Sequence, residues 1–134
     1  MTRRGFLYRG MTQKEFQNTV EAEGIVWSSQ DYSFSGEGTS FAEDANTAES
    51  YVNYCRDDPL KTGLPTYIVE IDPVGLDQIS LDRRDGYYKA SRAIPAESIT
   101  RIFETRPYRR ALYAYLIWDG KGTGGRLNWQ FDLH

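Results

Sequence analysis

The chain has 134 residues, 40% of them hydrophobic, a net charge of −3 and a single cysteine. That length suits one domain around one core, spanning 1–134. One cysteine excludes an internal disulfide framework, and the mixed charge argues against broad, non-specific nucleic-acid binding. No apolar run approaches the roughly 18 residues that span a bilayer, so a cytoplasmic protein with no membrane contact is expected. The one histidine is His134, which argues against a histidine-based triad or metal site, and no metal is expected.

Phe6-Leu7-Tyr8 reads as a short first strand, followed at once by Arg9-Gly10. Thr12-Gln13-Lys14-Glu15 is a capping-box pattern that opens a helix with Phe16 and Val20 on one face and Gly24 as its stop. Ile25-Val26-Trp27 is a second short strand, and residues 28–38 form a polar loop. Thr39-Ser40-Phe41-Ala42 returns to extended structure, and Asp44 caps a second helix carrying Ala45, Ala48, Tyr51, Val52 and Cys55. Residues 57–63 make a turn.

Thr66 to Ile71 is the strongest strand signal, β-branched and aromatic with Pro73 beyond it. Tyr87 to Arg92, Ile99 to Glu104, Ala111 to Trp118 and Leu127 to Leu133 are further strands, the last two pairing across a Gly-rich turn. Helices early and strands late predict an α+β fold with two small, mainly antiparallel sheets and the early helices packed alongside.

Three segments together resemble the ADP-ribosyltransferase family. Leu7-Tyr8-Arg9-Gly10 is similar to the opening of its R-S-E group, and Gly38-Thr39-Ser40-Phe41-Ala42 to that group's Ser-Thr-Ser element. Tyr67 to Ile71, with Tyr88 through Ile102, resembles the last third of bacterial members and of the small rifampin-modifying transferases. The likeness covers residues 6 to 104. It implies an ADP-ribosyltransferase-like fold and NAD as cofactor, with transfer of ADP-ribose to an unidentified protein, nucleic acid or small molecule.

In that resemblance Tyr8, Arg9, Gly10, Thr39, Ser40 and Phe41 form the NAD site. The Arg9 fork matches phosphate oxygens, Gly10 admits the ligand close to the backbone, Ser40 orients and Phe41 stacks on the nicotinamide. The family's late-strand Glu has no counterpart here: Tyr87 and Lys89 stand near its position. A carboxylate is needed to stabilise a cation-like sugar, which makes Asp85, Asp82 and Asp77 the candidates, Asp85 first.

The alternative is a catalytically altered binding module or inhibitor that docks on a partner, a protein before a nucleic acid. RNA 2′-phosphotransferase, which shares the fold, relies on a core histidine absent here. Arg101, Arg106, Arg109 and Arg110, interleaved with Tyr108, Tyr113 and Tyr115, could grip a nucleic-acid backbone and stack bases, or form a solvated edge. Residues 119–125 lack the order of a phosphate loop and read as a hairpin turn.

Overall fold

The computed structural model describes residues 2–26, 39–55, 63–76, 81–84, 87–120 and 129–131. Within them the chain is an α+β domain with two antiparallel sheets and two helices. The strands are β1 (Leu7–Thr12), β2 (Thr39–Phe41), β3 (Thr66–Ile71), β4 (Leu81–Arg84), β5 (Tyr87–Ala90), β6 (Ile99–Tyr108), β7 (Ala111–Trp118) and β8 (Trp129–Phe131). Five form one sheet in the order β1-β3-β6-β7-β8, and three form the other in the order β2-β5-β4.

Strand β3 pairs with β1 on one side and β6 on the other, and all six of its residues are buried. Both faces of the sheet are therefore covered there. On one face Tyr8, Ile68, Phe103 and Leu112 pack against Ala45 and Ala48 of α2 (Ala45–Cys55). On the other, Leu7, Met11, Val69, Ile71 and Ile102 pack with Phe16, Val26, Phe41, Ala90 and Ile94. Gly10 lies where α2 crosses β1. A Cβ there would collide with the Ala48 carbonyl oxygen and stand 2.5 Å from Val52 Cγ2. The small residue thus sets how closely helix and sheet approach.

The first helix begins as α1 (Gln13–Phe16) and widens into a π-helical turn over Gln17–Glu21. Half of the expected capping box forms: the Glu15 amide donates to Thr12 Oγ1 at 3.1 Å. The Glu15 carboxylate turns to Arg9, whose charged fork is a stronger partner than a backbone amide. Gly24, at φ 65, donates to the Val20 carbonyl and ends the helix as its sequence position predicts. Asp44 caps α2 through the Thr47 amide at 2.7 Å, and Thr2 Oγ1 accepts from the Ala45 amide at 3.0 Å.

Several expectations change in detail. β1 runs on through Arg9-Gly10 to Thr12, because both residues have cross-strand partners in β3. β6 reaches Tyr108, past Glu104. Val26 makes a single bridge to Ile94. β4 was missed, its run Leu-Asp-Arg-Arg carrying no apolar alternation. β7 and β8 pair antiparallel as expected, while residues 121–128 between them lie outside the described residues.

Candidate functional site

The two sheets meet where Tyr8 and Ala42 exchange backbone hydrogen bonds of 2.8 and 2.7 Å. That bridge sets the next residue of β1, Arg9, beside β2. Alternation along β1 sends Tyr8 and Gly10 toward α2 and Arg9 to the opposite face. Arg9 is buried, and its fork meets the Glu15 carboxylate through Nε at 3.0 Å and NH2 at 2.6 Å. Its remaining nitrogen, NH1, donates to the Ser40 carbonyl at 3.0 Å. One guanidinium therefore ties β1, α1 and β2 together.

Chemically this is a buried, bidentate ion pair with a third bond to the backbone. The edge of the guanidinium that matches a carboxylate is the same edge that matches a phosphate. With Glu15 seated there, the arrangement as it stands does not fit an NAD pyrophosphate. The other residues implied by the resemblance point the same way. Phe41 is fully buried in the core, so its ring packs on protein. The space beside Gly10 is filled by α2, and Thr39 is fully buried. The Tyr8 hydroxyl donates to Glu70 Oε2 at 2.6 Å, on the far face of the sheet from Arg9.

The candidate acids fare unevenly. Asp77 and Asp85 lie outside the described residues. Asp82 is exposed on β4, where its register partner is Lys89, and Lys89 in turn pairs with Ser40. Asp82 is thus two strands from Ser40, about 10 Å away at the usual strand spacing, with Lys89 between them. Among the described residues no cluster of three or more His, Cys, Asp or Glu side chains is placed to hold a metal. No described helix is long and apolar enough to cross a membrane.

Sequence reasoning missed three buried carboxylates. Besides Glu15, Glu49 of α2 accepts from Thr66 Oγ1 at 2.9 Å and so fastens the helix to β3. Glu70, with no exposed surface, receives Arg3, Arg101 and Tyr8 together with Thr100 Oγ1 at 2.7 Å. Burial alone would raise its carboxyl, but hydrogen bonds from Arg101, Arg3, Tyr8 and Thr100 outweigh burial and hold it at about 2. Burial first, and then the bond to Glu70, push Tyr8 up to about 12. A signal for Glu70 was available: a lone acid inside the apolar run Tyr67 to Ile71 must find cations if that strand is central.

No protein-family model, curated protein or solved structure matches the chain. The fold and the clasp around Arg9 therefore carry the functional reading alone.

Proposed function

We propose that this chain is an ADP-ribosyltransferase-like domain that acts by binding a partner, its Arg9 serving as a structural clasp rather than a cofactor anchor. The observation behind this reading is the Arg9 guanidinium, buried and forked onto Glu15 with Ser40 at its third side. Lys89, paired with Ser40, adds to it, because an ammonium beside that strand opposes positive charge on a sugar. The test is direct. Purified protein with saturating NAD is expected to release no nicotinamide and to keep its melting temperature. Nicotinamide release, or an NAD-dependent rise in Tm, overturns the proposal.

A second reading is NAD-dependent transfer of ADP-ribose, with Asp82, Asp77 or Asp85 as the acid. One observation favours it: residues 31 positions apart, Arg9 and Ser40, are brought within 3.0 Å where the sheets meet. It requires Glu15 to leave Arg9, so its mark is tighter NAD binding by Glu15→Gln than by the parent chain.

A further inference from the structure

The face of the sheet away from the clasp carries one cross-strand row, Tyr8 of β1, Glu70 of β3 and Arg101 of β6. Arg101, which the sequence groups with Arg106, Arg109 and Arg110, is held in this row by Glu70. The segment that precedes β1 folds back over it. The turn is closed by the Phe6 amide, which donates to the Arg3 carbonyl at 3.3 Å, and Gly5 supplies the left-handed residue at φ 87.

The returning segment is read at three points. The Arg3 guanidinium donates to both Glu70 oxygens, Nε at 3.4 Å, while its Cζ lies over the Phe6 ring, 4.2 Å from the centroid. The Arg3 backbone amide donates to the Tyr8 hydroxyl at 2.6 Å, and that hydroxyl donates on to Glu70. The Thr2 hydroxyl accepts from the Ala45 amide, at the head of α2, at 3.0 Å. A carboxylate edge and an aromatic face are the surroundings a guanidinium selects.

Arg3 is also the replaceable member of the cluster. Its side chain is 45% exposed, against none for Glu70 and 15% for Arg101. A carboxylate offers about four acceptor sites, and Arg101, Tyr8 and Thr100 can fill them without Arg3. Lifting Arg3 therefore leaves Glu70 compensated and opens the Phe6 face.

We propose that Glu70, Phe6, Tyr8 and the Ala45 amide form a docking site for an arginine of a partner protein, one preceded by threonine or serine, which Thr2-Arg3 occupies in cis. The bond from the Arg3 main chain to Tyr8 makes the ligand a polypeptide rather than a free guanidinium compound. The short tether keeps the seat filled, so a partner competes with the strap and its apparent affinity is reduced accordingly. This gives the binding module proposed above a partner chemistry and rests on that reading. The peptide assay below needs no NAD and the NAD assay no peptide, so each can fail without the other.

The test is a titration of the isotope-labelled full chain with end-blocked Gly-Thr-Arg-Gly, followed by backbone amide NMR shifts. Thr2→Ala with Arg3→Ala vacates the seat, and this chain should bind at least about tenfold tighter than the parent, with shifts centred on the Phe6 and Ala45 amides. In the vacated chain, lysine in place of the peptide's arginine should weaken binding about tenfold. Alanine in place of its threonine should weaken it about fivefold. Adding Phe6→Leu should cost about threefold, and Glu70→Gln should abolish binding; Phe6→Leu carries the test if Glu70→Gln does not fold. Absence of shifts up to about 5 mM peptide in the vacated chain overturns the proposal. So does equal affinity for the lysine or alanine peptide, equal affinity of the parent and vacated chains, or indifference to Phe6→Leu in a chain that keeps its Tm.

Discussion

Glu15→Gln removes the counter-charge of Arg9 while keeping the shape of the side chain. The pair is sealed from water, with 6% of the Arg9 and 2% of the Glu15 side chain exposed, so solvent cannot take the place of the lost carboxylate. Glutamine keeps one acceptor oxygen for the fork and turns an amide NH2 toward the other donor. One of the two bonds, at 3.0 and 2.6 Å, is therefore lost and the cation is left uncompensated. Breaking one side of a buried pair costs about 3–5 kcal/mol. The surviving oxygen and the Ser40 carbonyl retain part of the interaction, which places the expected loss near the lower end, about 3 kcal/mol.

For a domain of this length that lowers Tm by about 10 °C, measured by calorimetry or by urea unfolding at neutral pH. Adding Arg9→Met to Glu15→Gln should recover part of the loss, because it removes the stranded charge. A Tm change under about 2 °C for Glu15→Gln, with Arg9→Met equally mild, refutes the clasp and returns Arg9 to the pool of ligand-binding groups.

Two other substitutions test the surrounding structure. Gly10→Ala places a methyl against the Ala48 carbonyl oxygen, a backbone atom that can retreat only if α2 moves, and should cost about 2–3 kcal/mol in urea unfolding. Unchanged stability would mean that Gly10 does not set the distance between helix and sheet. For Glu70, a carboxyl at about 2 in the folded chain against an ordinary 4.5 contributes about 3 kcal/mol. Since the folded value is the lower one, that stability is complete above about pH 5 and is lost as pH falls toward 2. Urea unfolding at about pH 6 and about pH 3 should show this loss in the parent chain and a flatter profile in Glu70→Gln; parallel profiles would refute it.

Much of the fold was legible because its signals are local. The β-branched run Thr66 to Ile71, the Asp44 cap and the Gly24 stop act over a few residues, and each stands where the pattern puts it. β4 was not legible, since an edge strand reading Leu-Asp-Arg-Arg takes its conformation from pairing with β5 rather than from its own residues. The candidate site divided the same way. Arg9 and Ser40 were expected together and are together. Their partner Glu15 was assigned to a capping box six residues from Arg9, and only the bend from β1 into α1 reveals the ion pair. Phe41 and Gly10 resemble ligand-contacting residues in a motif, yet the core and α2 claim them, and a short motif carries no information on what will pack above it.

The strand order also bears on how the chain reaches this state. β6 and β7 join through the two-residue turn at Arg109-Arg110, so their pairing closes almost no loop. β1 instead pairs with β3 across the stretch from Thr12 to Thr66, and β2 meets β5 across a similar span. Loop-closure entropy makes these distant pairings the slow part of folding, with the hairpin formed first and β1 added to a sheet already begun. The bridge between Tyr8 and Ala42, and with it the Arg9 clasp, joins the two sheets and is expected to set once β1 and β2 each have their place. Contacts that form after the transition state govern unfolding far more than folding. The join between the two sheets is accordingly a lock on the finished domain, and its strength is read in how slowly the domain opens.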